Sequence, residues 1–176
     1  MKKLLLSLFL LLGLAAGASA QNVELQVGYG GYTQMDCMDM HDHWDDVNTA
    51  WGALTAGVNF RVAPKFWIGP SYTFSSTSTS GKYASHIAYH VIMLNARYEY
   101  FRRGIVDLYA HVGLGADISY MQPNDHWDRD NYSKGYFAFQ ITPIGANINF
   151  NRNAAFFAEL GFGAQGLAQL GFRFKF

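Results

Sequence analysis

The side chains best suited to chemistry in this 176-residue chain are concentrated in one segment, residues 35–46. Its twelve residues include three methionines, one cysteine, two histidines and five aspartates. Cys37, His41 and His43 could supply a thiolate and two imidazoles to zinc or copper, and the nearby thioethers favour Cu(I). Because the spacing matches no known metal-ligand motif, we interpret the segment first as an acidic, hydrated surface loop. A metal site is the alternative.

A second group of reactive side chains, Ser85, His86 and His90, lies further along the chain. With an acidic loop residue it could form an esterase-like site, in which a histidine activates the serine hydroxyl and the acid orients the histidine. A deacylase would be expected to carry a His-x-Ser pair, whereas Ser85 directly precedes His86 here. We therefore expect no enzymatic activity and keep the esterase-like site as an alternative.

Composition and charge exclude several other classes of protein. The 13 basic and 13 acidic residues balance, and no basic stripe is present, which argues against nucleic-acid binding. A single cysteine excludes an intramolecular disulfide framework and a Cys-rich zinc module. Charged residues make up only 15% of the chain, beside 18 glycines, 14 Phe, 11 Tyr and 4 Trp. That charge content is low for a water-soluble domain and too high for a helical membrane protein.

The first 20 residues have the organisation of a secretory signal peptide. Lys2 and Lys3 precede an apolar run from Leu4 to Ala16, and small residues follow up to Ala20. The run is too short for a bilayer-spanning helix, which needs about 20 apolar residues. We predict cleavage after Ala20, so that residues 1–20 are the signal peptide and residues 21–176 form one exported domain.

Apolar and polar residues alternate through the remainder of the chain. Near its end, Phe172, Phe174 and Phe176 fall on one face and Arg173 and Lys175 on the other, a separation that only an extended strand achieves. The same alternation predicts eight strands, over Asn22–Tyr32, Ala50–Val62, Phe66–Thr77, Ser85–Phe101, Ile105–Tyr120, Tyr136–Phe150, Ala154–Gly163 and Leu167–Phe176.

One strand changes phase, which indicates an irregularity in the sheet. Within Tyr136–Phe150 the alternation shifts at Thr142–Pro143. This predicts a β-bulge, since bulges are among the few places where a strand accommodates proline.

The apolar faces of these strands predict a membrane protein. They are continuous and begin and end in aromatic residues, with Tyr120, Tyr136, Phe137 and Phe162 at one end and Phe60, Tyr98, Tyr100, Phe150, Phe156 and Phe176 at the other. Two aromatic belts around an aliphatic band are typical of transmembrane β-barrels, whose strands need about 9–11 residues. We predict an all-β, eight-stranded antiparallel transmembrane β-barrel in up-and-down meander order. A soluble lipocalin-like barrel with a polar exterior is the alternative.

The chain resembles the small outer-membrane β-barrels of the OmpA/OmpX-like, or porin-family, superfamily. The resemblance rests on the signal peptide, the eight alternating segments and the terminal segment Leu170–Phe176. Phe172, Phe174 and Phe176 are similar to the C-terminal signal that the barrel-assembly machinery reads. The resemblance implies a monomer in a Gram-negative outer membrane, surrounded by lipopolysaccharide and phospholipid. Short turns after every second strand, beginning with Ala63–Lys65, put the longer loops outside the cell.

The inward faces combine five acidic and four basic side chains. These residues are Glu24, Glu99, Asp107, Asp117 and Glu159 with Arg61, Arg97, Arg173 and Lys175. An eight-stranded barrel is only wide enough for side chains to fill it, and an isolated buried charge costs several kcal/mol. We predict an interior salt-bridge network rather than a wide pore, with a narrow ion path as the alternative. His111 faces the same interior, where we expect it to form hydrogen bonds.

These inferences favour a barrel with a structural or interaction role, either in envelope integrity or in adhesion to an extracellular surface partner. We expect no cofactor. The alternatives are an outer-membrane lipid-modifying enzyme, similar to a lipid A acylase or deacylase, and a metal-binding surface protein that uses residues 35–46.

Overall fold

In the computed structural model, eight antiparallel strands form one closed barrel. Each strand pairs with the next in the sequence, and β8 pairs with β1. The strands are β1 Val23–Gly31, β2 Ala53–Ala63, β3 Phe66–Ser78, β4 His86–Arg103, β5 Val106–Gln122, β6 Tyr132–Asn149, β7 Ala154–Gly163 and β8 Ala168–Lys175. The structure describes residues 22–37, 48–78, 86–122 and 132–176, so the predicted signal peptide lies outside them. The predicted eight-stranded meander is confirmed.

The two ends of the barrel differ in their connections. At one end, here the turn end, residues 64–65, 104–105 and 150–153 make short turns, and the chain enters β1 and leaves β8. The other end, here the loop end, carries the four remaining connections. At the loop end β4, β5 and β6 extend furthest, because they have 17 or 18 residues whereas β1, β7 and β8 have 8 to 10.

The alternation in the sequence corresponds to an apolar exterior and a polar interior. Outward side chains such as Leu114 and Leu160 are 61% and 62% exposed, whereas the inward Thr73 and Gln140 are buried. A soluble lipocalin-like barrel would need a polar exterior, so the apolar exterior excludes that alternative. Within the described part of the chain, no helix is long and apolar enough to cross a membrane.

The predicted bulge is present in β6. Ile141 pairs with Phe162 and Ile144 with Leu160, so that Thr142 and Pro143 together oppose one residue of β7. The bulge reverses which residues face inward, and between the bulge and the loop end the even-numbered residues face the lumen.

This reversal corrects one sequence assignment. Tyr136 pairs with the buried Asp117 and lies on the inner face, whereas Phe137 is 63% exposed on the outer face. Placing Tyr136 in an aromatic belt was therefore wrong. We define the loop-end belt as Tyr29, Tyr72, Phe74, Tyr120, Phe137 and Phe162, and the turn-end belt as Phe60, Tyr98, Tyr100, Phe150, Phe156 and Phe176.

Candidate functional site

The half of the lumen near the turn end contains a cluster of buried ion pairs. Arg97 on β4 makes two hydrogen bonds to the Glu24 carboxylate on β1, from Nη1 to Oε1 at 2.6 Å and from Nη2 to Oε2 at 3.0 Å. Nε of Arg173 on β8 lies 3.5 Å from the same Glu24 Oε1. Both guanidinium groups also lie over the Tyr109 ring, at 5.4 Å for Arg97 and 4.6 Å for Arg173.

Glu159 on β7 is the second centre of this cluster. Its carboxylate accepts hydrogen bonds from Arg173 Nη2 at 2.7 Å and from the Tyr109 hydroxyl at 2.7 Å. His111 Nδ1 lies 3.2 Å from Glu159 Oε2. Because a carboxylate in a low-dielectric interior needs such donors, these contacts offset much of the cost of burying it.

His111 links this carboxylate to β4. Its Nε2 lies 3.0 Å from Asn95 Oδ1, and the amide nitrogen of Asn95 donates to Ser71 Oγ at 2.7 Å and to the Gly69 carbonyl at 3.3 Å. These bonds direct the oxygen of Asn95 towards the imidazole. Both ring nitrogens therefore lie within hydrogen-bond distance of an oxygen, one of Glu159 and one of Asn95. His111 forms hydrogen bonds in the lumen, as the sequence predicted.

Arg102, which is not among the nine predicted interior charges, also joins the cluster. It bridges two buried carboxylates, with Nη2 at 2.7 Å from Glu99 Oε2 and Nε at 3.0 Å from Asp107 Oδ1. The cause is a bulge at Tyr100, since Glu99 pairs with Tyr109 and Phe101 with Leu108. The extra residue turns Arg102 to the side of Asp107. The consecutive aromatic residues at 100 and 101 interrupt the alternation and could have indicated this bulge.

Three of the nine predicted interior charges lie apart from these ion pairs. Arg61 and Lys175 are partly exposed near the turn end, and each makes a hydrogen bond to a neutral group. Arg61 donates to the Pro64 carbonyl at 2.6 Å, and Lys175 Nζ lies 3.4 Å from Asn149 Oδ1. Asp117 is buried nearer the loop end and accepts a hydrogen bond from Ser119 at 3.1 Å. The structure brings together the other six, which are Glu24, Arg97, Glu99, Asp107, Glu159 and Arg173.

Little space remains between the charged side chains. A cavity of about 10 Å³ lies among polar groups, including Arg97, His111 and Arg173. That volume is close to the minimum for a single water molecule. Near the turn end the lumen is therefore filled by side chains.

The half of the lumen near the loop end contains an apolar cluster, which the sequence analysis did not predict. Its buried cluster consists of Met35, Ile87, Tyr89, Val91, Met93, Ala138 and Ala164. Four of these residues come from alternate positions of β4. The sequence does carry a signal for this cluster, because the first half of β4 is apolar on both faces. Such a pattern is expected where both faces of a strand are removed from water.

Two segments from the loop end fold into this half of the lumen. The first segment is a single helical turn at residues 34–37. Its Asp36 carboxylate accepts hydrogen bonds from the Thr33 N–H at 2.6 Å, from the Thr33 hydroxyl at 2.9 Å and from the Ala50 N–H at 2.7 Å. In the second, Gln165 is fully buried, its backbone N–H donates to Gln140 Oε1, and its side chain donates to Ser71 Oγ at 3.2 Å. Both segments therefore place buried, hydrogen-bonded side chains inside the barrel.

Gln34 attaches the first segment to the edge of β6. Its side-chain amide donates to the Phe137 carbonyl at 2.8 Å and accepts from the Phe139 N–H at 3.1 Å. One primary amide thus makes the pair of hydrogen bonds that a neighbouring strand would make. It does so just beyond the point where pairing with β7 ends, at Gln140 and Gly163.

Of the three predicted metal ligands, only Cys37 lies in the described part of the chain, where it is a partly buried free thiol. His41 and His43 lie outside the described residues. Among the residues that the structure describes, no group of three His, Cys, Asp or Glu side chains is placed to hold a metal ion. Both oxygens of Asp36, another member of the 35–46 segment, are already hydrogen-bonded to the protein.

The esterase-like group is only partly described, since Ser85 lies outside the described residues. His86 is exposed at the first position of β4. His90 faces outward, its Nδ1 lies 2.6 Å from the Tyr72 hydroxyl, and its ring contacts Phe74 and Tyr120. The described partners of His90 are therefore aromatic rings and a phenol, which provide neither a nucleophile nor an orienting carboxylate.

The three phenylalanines assigned to the assembly signal project from the outer face of the barrel near the turn end. Phe172, Phe174 and Phe176 are 50%, 44% and 51% exposed. Phe172 packs edge-on against Phe156 of β7, with ring centroids 5.6 Å apart.

A closed barrel with an apolar exterior, two aromatic belts and a filled polar interior is the architecture of a membrane β-barrel protein. The family model described as "Outer membrane protein beta-barrel domain" matches residues 4–165, and the chain belongs to this family. A search of curated proteins finds no match.

Two solved structures show the same fold. The N-terminal β-barrel domain of OprF from Pseudomonas aeruginosa has a TM-score of 0.53 and 16% identity, covering 90% of this chain and 100% of that chain. Ail, the attachment invasion locus protein of Yersinia pestis, in complex with the heparin analogue sucrose octasulfate, has a TM-score of 0.53 and 11% identity, covering 89% and 97%. What this chain shares with both structures is the fold, an eight-stranded outer-membrane β-barrel.

Proposed function

We propose that this protein is a non-conducting outer-membrane barrel with a structural or interaction role, either in envelope integrity or in surface adhesion. The observation that carries the proposal is the filled lumen. Buried ion pairs occupy it near the turn end, and near the loop end an apolar cluster is closed by residues around Met35 and Gln165. A protein that offers no internal path acts through its outer surface and its loops.

The connections support one orientation in the membrane. In outer-membrane barrels short turns face the periplasm and longer loops face outward, so the loop end is extracellular in this proposal. Residues 1–20 direct export and are removed, and Phe172, Phe174 and Phe176 engage the barrel-assembly machinery. The mature protein is a monomer, surrounded by lipopolysaccharide and phospholipid and able to present its loops to an extracellular partner.

The proposal includes no catalytic step. His90 lies among aromatic rings on the outer face, and the carboxylates of Glu24 and Glu159 are sealed inside the barrel. Neither arrangement combines a water-accessible nucleophile with a base, as lipid modification would require.

Reconstitution in planar lipid bilayers tests the non-conducting lumen. We expect no discrete conductance steps from the folded protein. Folding of the barrel is verified on gels, where the unboiled sample should migrate faster than the boiled one. Regular steps from a homogeneous folded sample would contradict the proposal.

A deletion strain separates the two roles. Wild-type protein and a variant with residues 123–131 replaced by a Gly/Ser segment of equal length are each returned to the strain. If the role is envelope integrity, both restore resistance to detergent. If the role is adhesion, only the wild-type protein restores attachment to surfaces. A deletion strain that matches its parent in both assays would overturn the proposal.

A further inference from the structure

His90 is an ionisable side chain on the lipid-facing surface of the barrel, and the role proposed above does not use it. It shares the outer face of β4 with Ile92 and Leu94, which are 59% and 60% exposed. On the outward faces of the described strands, from the turn-end belt to the loop-end belt, no other side chain is a Lys, Arg, His, Asp or Glu. Ionisable residues in such positions are costly and usually functional.

The position of His90 along β4 places it at the boundary between lipid tails and headgroups. Ten residues separate it from Tyr100 of the turn-end belt. At about 3.3 Å per residue and a tilt near 40°, this spans about 25 Å along the membrane normal, the height of the apolar band in such barrels. Tyr72 and Tyr120 of the loop-end belt lie beside it, as expected for residues at headgroup level.

The side chains around His90 hold the imidazole in place. Its Nδ1 lies 2.6 Å from the Tyr72 hydroxyl, and its ring centroid is 5.4 Å from Phe74 and 5.5 Å from Tyr120. With Nδ1 engaged by the phenol, Nε2 is the nitrogen left to bind a group outside the barrel. The surrounding aromatic rings also favour a cation at this position.

Among the residues that the structure describes, the groups that face His90 include no counter-ion for a protonated imidazole. β3 contributes Phe74 and the phenol of Tyr72, and β5 contributes Ile118 and the phenol of Tyr120. The nearest ionisable residue on the same face of β4 is His86, four residues away. None of these described groups is a carboxylate. A phosphate in the surrounding lipid is an anion that can approach Nε2 of His90 from outside the barrel.

We propose that His90 binds the phosphate of an anionic lipid in the leaflet at the loop end, with Nε2 donating to a phosphate oxygen. The inference rests on the outer-membrane location proposed above and deepens it by naming the lipid group that the barrel recognises. Tyr72 positions the imidazole, and Tyr120 and Phe74 flank it.

Native mass spectrometry of the purified protein in a non-ionic detergent tests this. The probes are dioleoylphosphatidylglycerol, whose phosphodiester stays anionic between pH 6 and 8, zwitterionic dioleoylphosphatidylcholine, and inorganic phosphate. At pH 6 we expect the anionic lipid to bind about tenfold more tightly than the zwitterionic lipid, as for one charge-assisted hydrogen bond.

Three variants assign the effect to a single side chain. His90→Phe keeps an aromatic ring in the cluster and should lose the preference, whereas His90→Lys keeps a nitrogen donor and a cation and should retain it. His86→Gln is the matched control and should behave as wild type. An undiminished preference for the anionic lipid in His90→Phe would overturn the inference. Displacement of the anionic lipid by millimolar inorganic phosphate would also overturn it, because the site would then be one for free phosphate.

The outcome is separable from that of the proposed function. Conductance steps together with His90-dependent lipid binding would overturn only the non-conducting role. A silent bilayer together with His90-independent lipid binding would overturn only the lipid site.

Discussion

The carboxylate of Glu159 on β7 lies 2.7 Å from Nη2 of Arg173 on β8, and both side chains are 1% exposed. Replacing Glu159 by Gln would leave the guanidinium buried without this counter-charge. We expect the variant to lose about 3–5 kcal/mol of the free energy of unfolding, the usual cost of removing one member of a buried pair. Urea unfolding in lipid vesicles, followed by tryptophan fluorescence, measures the change.

The same pair predicts a strong coupling between substitutions. Arg173→Met alone should destabilise the barrel to a similar extent, and the double variant should lose clearly less than the sum of the two. Lys175→Met is the control, because this partly exposed lysine should contribute no more than about 1 kcal/mol. Wild-type stability in Glu159→Gln would mean that water solvates these charges and that the lumen is open.

Gly145 provides the space that Tyr109 occupies in the lumen. A Cβ at position 145 would overlap the Tyr109 ring, which is held by its hydrogen bond to Glu159 and by the Arg173 guanidinium. We expect Gly145→Ala to lower the free energy of unfolding by about 1–3 kcal/mol through overpacking. Gly31→Ala is the matched control, since nothing lies within 4 Å of a Cβ there. Equal effects of the two variants, in the same unfolding assay, would show that Tyr109 is free to move.

Gln34 protects the edge of β6 near the loop end. Gln34→Ala removes the acceptor of the Phe139 N–H and the donor to the Phe137 carbonyl. We expect hydrogen exchange at the Phe139 amide to accelerate at least tenfold, since leaving a partly buried backbone group unpaired costs about 1–3 kcal/mol. Gln34→Glu keeps the acceptor only and should give an intermediate rate. NMR-detected exchange in micelles is the measurement, and an unchanged rate in Gln34→Ala would mean that other contacts protect the strand.

Phe176 should matter more for assembly in the cell than for the folded barrel. We expect Phe176→Ser to reduce the amount of protein in the outer membrane severalfold, while the purified variant still refolds in detergent. Phe162→Ser is a matched control, because Phe162 is an outward aromatic residue of similar exposure, 46% against 51%, near the opposite end. Quantitative immunoblots of membrane fractions make the comparison. A similar loss in both variants would indicate that burial in lipid, rather than a terminal signal, accounts for the effect.

The barrel could be predicted from the sequence because strand alternation is a local property. Phe172 and Arg173 are neighbours in the chain and face opposite environments, and this contrast recurs along every strand. Pro143 marked its bulge for the same local reason. Two assignments nevertheless failed at bulges. Tyr136 was placed in a belt although the bulge at Pro143 reverses the two faces of β6, and Arg102 was missed because the extra residue at Tyr100 turns it towards Asp107.

The closure of the loop end depends on contacts between residues far apart in the chain, which alternation does not reveal. Gln34 meets β6 across 103 to 105 residues of sequence, and Gln165 meets Ser71 across 94. A single glutamine in a polar segment carries no indication of such a partner. Likewise, the apolar inner face of β4 was visible in the sequence, but what would cover it was not.

The charged cluster also determines when the barrel can be completed. Its members belong to the first, fourth, fifth, seventh and eighth strands, and the hydrogen bond from Arg173 to Gln26 joins residues 147 positions apart. Contacts of this separation form only after the long loop between them has closed, which makes folding slow and cooperative. A half-formed sheet would expose unpaired charges to lipid. This raises the free energy of intermediates in which β1 has not yet paired with β8. The cluster thereby makes closure of the seam an all-or-none event.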